Sequence, residues 1–301
     1  MPRPSERGLT SVIVVTANSG PLASQCVERV LSSNTEVELI LVDNASCDGQ
    51  VERIADRFAA DLRLSILRNE SNIGFGPACN RGAALARGDA LLFLNPDCLI
   101  EADTIAGLRD HAQSDSDAGV LGVRVLDAGG KVEAASRRRD PTLRRSLNSL
   151  AGLSRFVHRF PACAGIDMPE PSASTRVEPV DAISGACMFV PRNVYDRLGG
   201  FDEGYFLHCE DLDLCRRARD AGLAVLFVPT LSVRHEQGSS SFRRPLFVSC
   251  HKHRGMWRYF CKFDTAARNP VLKVLVFCGI WLHFALLAPR LAWNEYRQRS
   301  R

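Results

Sequence analysis

The chain has 301 residues, of which 46% are hydrophobic and 24% charged, with a formal net charge of +4. This balance excludes a disordered chain and allows either one large domain or two ordinary ones around a substantial core. It is also too weakly basic to point to nucleic acid as a partner.

The N-terminal MPRPSERG lacks the apolar stretch of a secretory signal. SVIVVT (11–16), VELILVD (37–43), LRLSIL (62–67) and DALLFLN (89–95) read as strands, alternating with helical spacing at 21–32, 50–60 and 77–87. Such alternation predicts a parallel sheet with crossover helices. GVLGVRVLD (119–127) is a further strand. Residues 129–180 are rich in Arg, Ser, Pro and Gly, with RRRDPTLRR at 137–145, and read as a solvated surface excursion. Order resumes at DAISGACMFVPR; helices are expected from Arg192 and over 211–221.

The tail differs. Residues 243–262 hold six Lys or Arg, two His and no acid, and residues 271–289 form a 19-residue apolar run with Lys273 as its one definite charge. A spanning helix needs about 20 such residues. Basic flanks on both sides, RQRSR being the second, favour a helix lying in the membrane interface over one that crosses; a buried core helix is the alternative. Eleven cysteines with no CxxC pair read as buried free thiols in a reducing cytoplasm, among them Cys79, Cys98 and Cys187.

Acidic residues at strand ends carry the chemical signal. Asp43 ends the second strand, Asp97 follows the fourth in LLFLNPDCLI, and Glu210 and Asp211 open a helix after the apolar YFLHC. In a parallel sheet these positions share the rim where ligands bind. Each has a plain structural reading as well: Asp43 as an Asx turn with Asn44, Asp97 and the Glu210–Asp211 pair as helix caps. A dinucleotide-binding oxidoreductase is disfavoured, because TANSGP and not GxGxxG follows the first strand.

VVTAN, LVDNASCDG, NESNIGFGPACNRGAALARGDALLFLNPD, ISGACMFVPR, GGFDEGYFLHCEDLDLCRRARDAG and RHEQGSS, in that order over residues 10–240, resemble the family 2 glycosyltransferases, most closely a rhamnosyltransferase-like branch. The resemblance implies an α/β GT-A fold: a Rossmann-like nucleotide-sugar half and an acceptor half on one mixed central sheet. With it go a glycosyltransferase domain at 1–240 and a helical, membrane-associating tail at 241–301. It further implies an inverting enzyme at the cytoplasmic membrane face, moving a sugar, L-rhamnose from dTDP-rhamnose, to a lipid-linked or polysaccharide acceptor of the cell envelope. A UDP- or GDP-sugar donor and a nucleotide-sugar-binding pseudoenzyme are the alternatives.

By the same resemblance, Thr16, Asn18, Asp43 and Asn44 contact the base and ribose, and Asn72, Gly74, Gly76 and Asn80 pass under the nucleotide. Asn95-Pro96-Asp97 stands where the family has Asp-x-Asp, so the first acid is replaced and the last kept. Asp97 is then the ligand of a divalent metal (Mg²⁺ or Mn²⁺), with His235 as a metal or diphosphate ligand and Asn95 turned to ribose or water. Asp211 is the expected base and Glu210 orients it. His208 reads as packing, and His251-Lys252-His253 as charged surface.

Overall fold

The computed structural model describes residues 5–168, 175–236 and 244–299. The expected boundary at 240/241, residues 237–240 of RHEQGSS, Arg243 and the extreme termini lie outside them. The strands are β1 (Glu6–Thr16), β2 (Val37–Asp43), β3 (Leu64–Arg68), β4 (Gly88–Leu94), β5 (Cys98–Ile100), β6 (Ala118–Leu126), β7 (Arg137–Arg138), β8 (Glu178–Pro179), β9 (Ala182–Ile183), β10 (Cys187–Pro191) and β11 (Ala224–His235). The α-helices are α1 (Leu22–Leu31), α2 (Gln50–Arg57), α3 (Phe75–Leu85), α4 (Thr104–Ser114), α5 (Leu143–Leu150), α6 (Arg192–Leu198), α7 (Glu210–Asp220), α8 (Pro245–Phe263) and α9 (Pro270–Arg299).

Near-continuous apolar runs make central strands because helices cover both faces of the sheet. Side chains alternate between those faces: Val12 and Val14 join one core cluster with Ala23 and Val27 of α1, whereas Ile13 and Val15 join the other with Ala78 and Ala83 of α3. The sheet order is β3-β2-β1-β4-β10-β6-β11-β5. The expected parallel pairing holds across β3, β2, β1 and β4. The sheet then becomes mixed, with β10 antiparallel between β4 and β6, β11 parallel to β6, and β5 antiparallel to β11.

Two of these pairings position the rim. Cys187 opposes Leu94, so residues 184–186 lie against the carboxyl end of β4. His235 opposes Cys98, next to Asp97.

Several local expectations change. β3 starts at Leu64, and Leu62 is 95% exposed. YFLHC is no strand but an irregular turn with φ of +66° at His208 and +71° at Cys209. Glu210 and Asp211 therefore follow a strained turn. Cys79, Cys98 and Cys187 are buried free thiols, as read from the sequence.

The described part of 129–180 is more than a solvated excursion. β7 pairs with β9, and buried Asp140 accepts hydrogen bonds from Arg216 of α7 (2.8 Å) and Tyr259 of α8 (2.8 Å). Removing one member of a buried, hydrogen-bonded ion pair strands its partners. Asp140→Ala is expected to cost about 3 kcal/mol, read as a lowered denaturant midpoint with an unchanged slope.

α8 belongs to the core: Tyr259 and Phe260 are buried, and Lys262 reaches Asp202 (2.7 Å) and buried Asp213 (2.6 Å). His253 is buried too, bonded to the Ser249 carbonyl (2.7 Å) and His283 (3.0 Å), and His251 stacks on Phe206. The charged-surface reading of His251-Lys252-His253 thus holds for exposed Lys252 alone. α9 is long and apolar enough to cross a membrane, and none of its most apolar stretch is buried inside the chain, unlike a core helix.

Candidate active site

Parallel registration of β1 with β2 sets Thr16 beside Asp43 at the carboxyl ends of both strands. Asp43 is buried; its Oδ1 accepts from the Ser46 N–H at 2.8 Å, so its turn closes on Ser46 and not on Asn44, and Oδ2 faces Arg68 at 3.4 Å. Thr16 donates to Ser19 (3.0 Å). Asn18 sits at φ +59°, and its side-chain oxygen takes the Cys47 N–H at 2.8 Å, which ties the loop after β1 to the loop after β2.

The Gly-rich segment lies alongside. Asn44 Nδ2 donates to the Gly74 carbonyl (3.0 Å), Asn44 Oδ1 accepts from Asn69 (2.7 Å), and Asn72 accepts from the Gly74 N–H (3.0 Å). Gly74 has φ +96°, and a Cβ there would come within 2.6 Å of the Phe206 carbonyl, so close approach requires glycine. A Cβ on Gly76 would meet only an ordinary contact, 3.4 Å from Phe201. Phe75 N–H donates to that same Phe206 carbonyl (2.8 Å), joining this segment to the turn that leads to Glu210.

Asn80 is fully committed to the protein. Its amide donates to the Phe201 carbonyl (2.9 Å) and Glu203 (3.0 Å), and its oxygen accepts from Tyr195 (2.6 Å) and the Phe201 N–H (2.9 Å). A primary amide has no further capacity, so Asn80 locks the 199–206 loop onto α3.

Past β4, the Asn95 N–H donates to the Ala186 carbonyl (2.9 Å), and two residues on Asp97 meets His235, with Oδ1 3.3 Å from Nε2. Glu133 holds the other ring nitrogen at 2.9 Å. Burial alone would lower the His235 pKa, but hydrogen bonds to Asp97 and Glu133, with their charges, raise it to about 10. Without a cation the two carboxylates therefore favour the charged ring; a cation bound at Nε2 would take the place of that proton. Asp97, Cys98 and His235 offer ligand atoms within 4.8 Å of one another. A carboxylate and an imidazole suit Mn²⁺, and Glu133 is the orienting partner a metal-bound imidazole needs. Cys98 does not fit: burial holds its thiol well above the usual range, so a thiolate is disfavoured there.

On the other side of residues 184–186 lies the acid pair. Gly185 N–H donates to Asp211 Oδ2 at 3.1 Å, Leu212 N–H to Oδ1 at 2.8 Å, and Arg138 forms a short ion pair with the same carboxylate. Burial would raise the Asp211 pKa, but the charge and hydrogen bond of Arg138 outweigh it and hold the carboxyl below its ordinary value. Glu210 goes the other way: burial, then the Asp211 charge, push it up, and its Oε2 has no hydrogen-bond partner among the described residues. Neighbouring carboxyls driven apart in this way can serve different roles. Burial also pushes the His208 ring down to about 4, so it is neutral at physiological pH and packs, as expected.

Arg138 and Glu133 escaped the sequence reading. Arg138 lies in RRRDPTLRR, where an arginine run reads as solvated, and nothing in the sequence set it apart from its neighbours. Glu133 carried no signal at all.

Comparison with known proteins agrees with this geometry. The model for "Glycosyl transferase family 2" matches residues 11–169. N-acetylglucosaminyl-diphospho-decaprenol L-rhamnosyltransferase of Mycobacterium tuberculosis is 30% identical over 270 residues, 82% of this chain and 86% of that protein. Rhamnosyltransferase WbbL of Escherichia coli is 31% identical over 233 residues, 74% and 82% of the two chains. The mannosyltransferase PcManGT of Pyrobaculum calidifontis, solved with GDP-Man and Mn²⁺, superposes with a TM-score of 0.58 at 19% identity over 98% of this chain and 76% of that one. Strand order, a rim of paired acids and these relatives converge: the chain belongs to glycosyl transferase family 2, and it is a glycosyltransferase with a GT-A fold.

Proposed function

We propose that the enzyme transfers L-rhamnose from dTDP-rhamnose, with inversion, to a lipid-linked acceptor of cell-envelope glycan synthesis at the cytoplasmic membrane face. One observation carries the mechanism: loop 184–186 touches Asn95 of the NPD triplet through Ala186 and Asp211 through Gly185. Leaving-group and acceptor chemistry can therefore face each other across a single loop. The two relatives named as rhamnosyltransferases support the sugar, and the diphospho-decaprenol in the first name supports a lipid-linked acceptor.

In this reading Thr16, Asn18 and Asp43 surround the base and ribose, and Asn44, Asn72, Gly74 and Gly76 shape the floor beneath. Asn95 turns to ribose or water. Asp97 and His235 would hold a divalent cation, which when bound supplies positive charge against the departing diphosphate. Asp211 takes the proton from the acceptor hydroxyl as its oxygen attacks the anomeric carbon, and the sugar–phosphate bond breaks with its electron pair on the diphosphate. Glu210 stays beneath as a neutral acid, and Arg138 with the Gly185 N–H fixes Asp211. The exposed α9, which follows basic α8, would keep the enzyme on the membrane where its acceptor resides.

A donor screen tests this. Purified enzyme with dTDP-rhamnose, UDP-sugars or GDP-sugars, with and without Mg²⁺ or Mn²⁺, is expected to release diphosphate nucleotide from dTDP-rhamnose preferentially. Preference for a UDP- or GDP-sugar would replace the donor, and tight donor binding with no turnover on any acceptor would make the chain a binding protein.

A further inference from the structure

Residues 141–166 contain four arginines and no acid. In α5 and the turns after it, the usual arrangement of side chains is inverted. Asn148 is buried, its amide bonded to the carbonyls of Ala162 (2.9 Å) and Ala164 (3.1 Å), while Ser149 Oγ accepts the Ile166 N–H (2.9 Å). The apolar residues point outward: Leu150 is 70% exposed, Leu147 55%, Phe160 53%, Phe156 44% and Leu153 38%. The loop is closed by its polar groups, so the exposed leucines and phenylalanines belong to a held conformation. Five exposed large apolar side chains within fourteen consecutive residues, 147–160, are the composition of an interaction surface.

Its occupant follows from charge and position. Arg155 lies over the Phe156 ring and Arg159 over that of Phe160, and among the described residues neither they nor Arg144 has an acidic partner. Apolar rings with arginines alongside fit an anionic lipid surface, where the rings enter the acyl boundary and the guanidinium groups stay at the headgroups. Position agrees. Asp264 Oδ2 accepts the Leu143 N–H that starts α5 (2.7 Å), and Asp264 Oδ1 accepts the Ala266 N–H (2.9 Å) in the turn that leads into α9. One carboxylate thus ties the beginning of this patch to the root of the exposed apolar helix.

We infer that residues 143–160 form a second membrane-docking surface that seats beside α9 in an anionic bilayer. The inference rests on the proposed membrane location and adds a second contact to it, one that fixes the orientation of the rim as well as its distance from the lipid. The test uses the full chain with Trp257→Phe, Trp281→Phe and Trp293→Phe, so that Phe156→Trp supplies the one tryptophan. Vesicles of phosphatidylcholine and phosphatidylglycerol carry brominated acyl chains, and Leu62→Trp, at the exposed start of β3, is the control.

Quenching and a blue shift for Phe156→Trp, with the control unmoved, are the expected result. Leu150→Ser with Phe156→Ser in the full chain should weaken partition onto these vesicles by about tenfold per residue. Flotation with the Phe156→Trp reporter unquenched overturns the patch and leaves the α9 reading standing. No flotation of the full chain overturns both readings. A blue shift that appears without vesicles and grows with protein concentration overturns the lipid as occupant, in favour of a second copy of the chain.

Discussion

Asp211→Asn is expected to lower turnover by about 10²–10⁴-fold while leaving donor affinity nearly unchanged. The substitution keeps the shape, and its one amide oxygen can accept from either the Gly185 or the Leu212 N–H, but it cannot take a proton. The pH profile makes the assignment sharper. A base must be ionised to act, and Asp211 is held below its ordinary pKa because Arg138 outweighs its burial. As pH falls from neutral, kcat/KM should therefore stay flat, with its acid limb below the ordinary carboxylate range. Arg138→Gln should move that limb upward, since the opposing burial would then dominate; a merely structural role for Arg138 would lower activity at every pH equally. Glu210 supplies the contrary outcome. Its pKa is raised by burial and by Asp211, so a limb well above the carboxylate range would transfer the base role to Glu210. Turnover of Asp211→Asn within threefold of wild type, about 0.7 kcal/mol by the tenfold-per-1.4 rule, would remove Asp211 from the mechanism.

The second large effect is expected at Asp97. Asp97→Ala should raise the donor KM by about 10²–10³-fold and abolish any response to Mg²⁺ or Mn²⁺, because several kcal/mol of charge stabilisation would depend on that carboxylate. Glu133→Gln should cost less, about 10–100-fold, as it only orients His235. The same measurements on the wild type decide between two sources of positive charge. Full activity in chelator, equal to that in Mg²⁺ or Mn²⁺, would overturn the metal assignment. The imidazolium of His235, which its two carboxylate neighbours stabilise, would then be left to face the diphosphate. In that case His235→Gln should be as damaging as Asp97→Ala.

Local chemistry was legible without coordinates. Alternation of apolar runs with helical spacing determined the first four strands and that they run parallel, because a strand covered on both faces has no polar positions to disguise it. Strand-end acids and Gly74 were legible for a related reason. A carboxylate that ends an apolar run, and a glycine whose backbone meets another segment, are constraints written at single positions. The tail's composition likewise announced an apolar helix, though not whether it would be buried.

What the tertiary structure alone decided lies between distant segments. The insertion of β10 antiparallel to β4 set loop 184–186 against the NPD triplet, and the pairing of β5 with β11 brought His235 to Asp97 across 138 positions of sequence, counted as 235 minus 97. Arg138 and Glu133 gained their partners only when the 129–168 segment folded over the rim. An arginine's partner is fixed by where two chain segments meet, and no local pattern encodes that meeting. The same holds for the turn at His208 and Cys209, where two residues in succession take positive φ: Gly74 packs against Phe206 on one side and Gly255 of α8 against His208 and Cys209 on the other.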